Sequence, residues 1–164
     1  MSERFDFSSI FRDEMWTIHT PNADGAQEKF FRLIKDEFEK TQFPNVDISL
    51  DEYVTGGLLF NKETTRMLKI KSKNSQFKKY EVYFRAQVFG NVVVLSVMFC
   101  MEQGFLGAII GKGGPELFAQ VRSKCKNMAQ YEEFTALDNL GVLLFQDALL
   151  SIDDRYKERK ALAS

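Results

Sequence analysis

The chain holds one histidine, two cysteines and three prolines in 164 residues, and each scarcity closes a class of function. His19 alone cannot build a histidine-rich metal centre, and no serine or cysteine stands where it would mark a catalytic triad. Cys100 and Cys125 have no Cys or His at ligand spacing, so a zinc site and a disulfide framework are both excluded, and they read as reduced core thiols. Charge imbalance is missing too. With 22 basic and 23 acidic residues the net charge is −1, so nothing draws the chain as a whole to nucleic acid or to an anionic membrane. The long apolar run Val92 to Met101 is too short to span a bilayer, and Met1 to Trp16 mixes charges with single aromatics, unlike a signal peptide. The expectation is a cytoplasmic, non-catalytic protein with no cofactor, no metal and no membrane span.

Phenylalanine is plentiful. Sixteen of them, within a composition that is 45% hydrophobic and 27% charged, predict a folded domain with an aromatic core rather than a disordered chain. No repeat, linker or low-complexity stretch divides it, so residues 1–164 read as a single α+β domain, with 1–20 as an N-terminal arm and 153–164 as a frayed charged tail. In the arm, Phe7, Ile10, Phe11 and Met15 recur at helical spacing, which suits a short amphipathic helix or a docking segment; the plainer expectation is a terminal segment packed on its own domain, and Met15 to Thr20 reads weakly as a strand.

A first helix is expected from Asp24, with Gln27 completing a capping box and Ala26, Phe30, Leu33, Ile34 and Phe38 on one stripe, ended by Pro44. Residues 46 to 101 read as an antiparallel meander of four or five strands. Gly90-Asn91 is a two-residue hairpin signal, and it sets Val88, Ala86, Phe84, Val82 and Tyr80 opposite Val93, Leu95, Val97, Phe99 and Met101 on one apolar side. A three-residue loop before it would place Leu68 and Ile70 beside Val82 and Tyr80. Gly56-Gly57, in a strand expected over 52–60, suggests a bulge. After the meander, Pro115 starts a helix carrying Leu117, Val121, Cys125 and Met128. A cap at Asp138 or Asn139 then opens a last helix with Val142, Phe145, Leu149, Ile152 and Tyr156. The fold class is α+β: N-terminal helix, meander sheet, then helices packed on it.

Three surfaces compete for a function. The second sheet face expected from the hairpin carries Val92, Val94, Met98 and Cys100, too apolar for full exposure and suited to a protein partner or a second copy. Half of the ten glycines fall between Gly104 and Pro115. Such a cluster marks a sharp reversal or a backbone-lined site. Within it Ile109-Ile110-Gly111-Lys112-Gly113-Gly114 resembles the G-x-x-G loop of KH domains, and that resemblance implies binding of single-stranded nucleic acid at Gly111, Lys112, Gly113 and Gly114. The twelve residues from Met128 to Asn139 leave little room for the two further strands such a domain needs. Walker and dinucleotide spacings both fail. Finally, residues 62 to 79 hold seven basic side chains, Lys69, Lys71 and Lys73 among them, against Glu63 alone, which suits either phosphate contact or an edge hairpin guarded against strand pairing. A protein-interaction or adaptor module, with self-association as one form of it, is the leading expectation, and single-stranded nucleic-acid binding the alternative.

Overall fold

In a computed structural model of the chain, residues 3–55, 63–74, 77, 79–101 and 121–164 are described. Gly56-Gly57 and the Gly104 to Pro115 stretch, with Gly111, Lys112, Gly113 and Gly114, lie outside them.

The tightest turn sets the sheet. Gly90 takes φ 61°, which only glycine adopts without strain, and it joins β5 (Tyr80–Phe89) to β6 (Val92–Met101). The pairing that follows is Val88 with Val93, Ala86 with Leu95, Phe84 with Val97, Val82 with Phe99 and Tyr80 with Met101, as the two-residue turn requires. β4 (Glu63–Ser72) lies antiparallel to β5, with Leu68 opposite Phe84 and Ile70 opposite Val82. The expected face is kept but the register is two residues away from that of a three-residue loop, because the connection runs from Lys73 to Lys79. β3 (Val46–Thr55) pairs antiparallel with β4 and begins well before the 52–60 span read from the letters.

The N-terminal arm packs on its own domain, and a strand covers most of Met15 to Thr20 as read, but the helical alternative for the arm fails. In its place, β1 (Glu3–Arg4) pairs parallel with β3, and β2 (Ile10–His19) pairs antiparallel with β6. Strand order is β1-β3-β4-β5-β6-β2, so the sheet has six strands and is mixed, and the first helix follows two strands instead of leading the chain. Helical spacing at Phe7, Ile10, Phe11 and Met15 misleads because a bulge between Ile10 and Arg12 shifts the strand period at Phe11.

Phe5 to Ser9 therefore cross from one sheet edge to the other, tightened by a single 3₁₀ turn at Phe7–Ser9. From Arg4 to Ile10 an extended chain reaches about 21 Å at most. Five spacings of a flat sheet would need about 24 Å. The sheet must curl until its edges approach across this strap.

Its other face is covered by helices. α1 (Ala23–Thr41) is capped by Asn22, whose side chain accepts from the Gly25 N–H at 3.1 Å, so the cap falls two residues before the expected Asp24. Gln27, free of any capping box, donates to the Ala86 carbonyl at 2.7 Å. Gln42 in the left-handed region ends the helix before Pro44 is reached. Phe30, Phe31, Ile34 and Phe38 are buried. Phe30 meets Phe31, Phe84 and Phe145, which ties α1 to the sheet and to the next helix.

That helix, α2 (Met128–Ile152), is one continuous element capped by Asn127, not a short segment followed by a new start at Asp138. Met128 is its first residue and 68% exposed, so it leaves the stripe predicted with Val121. By length and composition α2 is apolar enough to cross a membrane, with a mean hydropathy of 1.2. Here Phe134, Leu137, Leu140, Leu144, Phe145, Ala148 and Leu149 are buried in the core. Gly141 is where α2 comes closest to the sheet: a Cβ there would stand 2.8 Å from the Phe99 ring and 3.0 Å from Val82.

The expected frayed tail is itself helical, as α3 (Tyr156–Ala163). Asp153, expected on the surface, is buried and holds α3 in place. It accepts from the Trp16 indole at 3.1 Å, the Arg155 N–H at 3.1 Å and Arg159 at 3.0 Å. Burial alone would raise its carboxyl, but these donors outweigh it and hold it below the usual range. The Arg159 guanidinium also stacks 4.6 Å from the Trp16 ring.

Candidate binding face

On the helix-free face of the sheet the strand registers align side chains in rows across β4, β5, β6 and β2. One row is Met67, Arg85, Ser96 and Met15, and the next is Lys69, Tyr83, Met98 and Asp13. Strand alternation puts these residues together, and the strap then decides which of them meet water. Phe5 packs edge-on against Tyr53 and Tyr83, whose own rings meet at 5.4 Å, and a second small core forms from Tyr53, Met67, Tyr83, Met98 and Cys100 with Phe5 and Ile10 at its margin.

Of the residues expected at an interface, Met98 and Cys100 are thus 5% and 3% exposed, beneath the chain's own N-terminal segment. Val92 and Val94, nearer the hairpin turn, are half-buried. Sequence reading found the apolar face but not its cover, because the strap's anchor is a single half-buried aromatic, Phe5, followed by the exposed Phe7 and polar residues. Asp6 accepts from the Ser8 N–H at 3.0 Å, and Ser9 donates to the Asp6 carbonyl at 2.6 Å, so the strap keeps a fixed turn.

The Cys100 thiol reports on that cover. Burial pushes it up to about 12, although the neighbouring Ser9 acts to lower it. At pH 8 almost none is thiolate, and thiolate is the reacting form. In a Cys125→Ser background the thiol is expected to resist a disulfide reagent under native conditions. Phe5→Ala, which loosens the strap, should raise its rate at least tenfold. Equal rates with and without Phe5 would show that the strap does not shield the face.

Of the basic hairpin's lysines, the three expected to meet anions, Lys69, Lys71 and Lys73, are paired. Lys73 meets Asp47 at 3.0 Å, Lys71 meets Glu81 at 3.0 Å and Lys69 meets Glu3 at 3.6 Å. Arg66 likewise meets Glu28 at 2.6 Å. Phosphates approaching this strand would have to displace carboxylates. Lys69 also stands 5.7 Å from the Tyr53 ring, which ties β1, β3 and β4 together at the edge.

A different cation on this face was missed from the letters. Arg85, on β5, is half-buried, and its partners are neutral: Nη2 donates to Gln87 Oε1 at 2.8 Å and Nε approaches Thr65 Oγ1 at 3.4 Å. Burial lowers its pKa, with Glu63 opposing the effect only through space. No carboxylate lies within ion-pair distance of it among the described residues. In sequence it is one of 22 basic residues, and nothing local sets it apart.

His19 is exposed on β2, next to Val92 in the register and far from either cysteine. Among the described residues no group of three or more His, Cys, Asp or Glu side chains is placed to hold a metal.

No protein-family model and no curated protein matches the chain. The crystal structure of TTHA0849 from Thermus thermophilus is similar over 85% of this chain and 97% of that one, at 16% identity and a TM-score of 0.30, a likeness too loose to bear on function.

Proposed function

We propose that the chain is a non-catalytic protein-interaction module that docks through the open half of the helix-free sheet face, with a second copy of itself as the first partner to test. The observation that carries this reading is the company Val92 and Val94 keep. Phe89 and Met15 are each 61% exposed, and strand alternation puts both on the same face as the two valines. Two large apolar side chains beside half-buried valines, on a face that no described helix covers, make a contiguous patch of the sort that marks an interface. Met98 and Cys100 support it from below as filled core. A two-fold axis through this patch would set Phe89 of one copy against that of the other, the closed arrangement most homodimers use.

Phe89→Asp with Val94→Asp should turn a concentration-dependent dimer into a monomer in sedimentation equilibrium while the melting temperature stays within a few degrees. A wild-type chain that is monomeric at every concentration, and that captures the same proteins as the double variant, would end the module reading. Nothing among the described residues favours the nucleic-acid alternative, whose glycine loop lies outside them.

A further inference from the structure

The same face holds a second feature, which shares Met15 with the docking patch: a groove of about 1060 Å³ between the strap and the curled sheet. Met67 and Met98, both buried, form its floor, Phe5 and Ile10 one wall, and Met15 its outer end. Arg85 stands in the same floor, in the row that runs from Met67 to Met15.

We propose that this groove binds a small amphipathic carboxylate, with the head group on Arg85 and the apolar chain passing Ser96 beside Met98 to reach Met15. A half-buried guanidinium gives up hydration, and Arg12, also half-buried, has that loss returned by Asp138; even the exposed Arg66 and Arg159 have Glu28 and Asp153. Arg85 has only an amide and a hydroxyl. Of its five donors, those on Nη1 have no protein partner among the described residues, and Nη1 with the second hydrogen of Nη2 makes the fork that a carboxylate accepts. The acids near the groove do not fill the role. Asp6 is engaged with Ser8, while Asp13 and Arg4 stand exposed at the rim with opposite charges.

The rest of the groove specifies the tail. Methionine is flexible and polarisable, and it adapts to an alkyl chain better than a rigid aromatic floor would. From Arg85 on β5 to Met15 on β2 is two strand spacings, about 10 Å, which suits a chain of roughly eight to ten carbons. A bare anion such as phosphate would use the guanidinium but leave Met15, which is 61% exposed, wet.

Isothermal titration of the full chain with sodium decanoate, decyltrimethylammonium bromide and sodium acetate separates head from tail. Decanoate is expected to bind at least about tenfold more tightly than the cation with the same tail, as a charge-assisted pair in a half-dry site requires, and acetate to give no measurable heat. Arg85→Gln should weaken decanoate at least tenfold with Arg85→Lys in between. Met15→Glu, at an exposed site that does not threaten folding, should weaken it as well by placing a charge at the tail end. Equal affinity for the two decyl head groups, no heat with millimolar decanoate, or decanoate binding unchanged in both Arg85→Gln and Met15→Glu would overturn the proposal. A monomeric wild-type chain would leave all of these results standing, so the two readings fail separately.

Discussion

Asp138→Ala is expected to destabilise the fold by about 3 kcal/mol in urea unfolding, because it removes the one acid that two groups on the sheet share. Asp138 lies on α2 at 2% exposure, where it accepts from the Tyr80 hydroxyl at 2.6 Å and from Arg12 at 2.9 Å. Arg12 in turn stacks 3.9 Å from the Phe99 ring, and its Nε has no hydrogen-bond partner. Burial first, and then Asp138, push the Tyr80 hydroxyl well above its ordinary range, so it stays a donor throughout the accessible pH range. Removing the carboxylate strands a buried hydroxyl and a partly buried cation together. The side chain of Arg12 is 36% exposed, and solvation there keeps the loss at the lower end for buried pairs. Asp138→Asn, which keeps an acceptor for Tyr80, should cost about 1 kcal/mol. A loss under about 1 kcal/mol for the alanine variant would mean that the carboxylate does not hold α2 to the sheet.

The second large effect is expected at Phe30. Its side chain is fully buried where α1, β5 and α2 converge, and Phe30→Ala should cost about 3–5 kcal/mol, the cavity adding to the lost transfer energy. Leu143→Ala, on the outer side of α2 at 56% exposure, should change stability by about 0.5 kcal/mol or less. Comparable losses at the two sites would place the core elsewhere.

Both sites show which kinds of information the letters carry. Phe30 was legible, because an apolar stripe at helical spacing says which side chains turn inward whatever they meet there. The β5–β6 register was legible for a similar local reason: a two-residue turn with Gly90 allows one pairing, and five apolar pairs agree with it. Asp138 was misread, since an acid before a run of leucines looks like a helix cap. The groups that make it a buried acceptor, Arg12 and Tyr80, are 126 and 58 residues away. α2 passes through that position unbroken because its own cap, Asn127, lies eleven residues earlier. The strap and Arg85 were illegible for the same cause. A cover made of one anchoring aromatic, a second that is exposed and a short polar turn has no periodicity, and a guanidinium with neutral partners is defined by acids that are absent around it among the described residues.

The order of the strands carries a consequence for how the chain reaches this state during synthesis. β2 is the second strand made, yet its partner is β6, and Ile10 must wait for Cys100 before its backbone finds a ladder. β1 waits less long, for Tyr53. Until residue 101 has left the ribosome, Trp16, Ile18 and the phenylalanines of α1 have no complete sheet to bury against. At about 5–20 residues per second that interval lasts several seconds. Loop closure over such distances comes before any contact repays it, so this fold should form late and cooperatively. Residues 3–19, which bracket the finished sheet from both edges, leave the ribosome before the strands they pair with and join the sheet only after them.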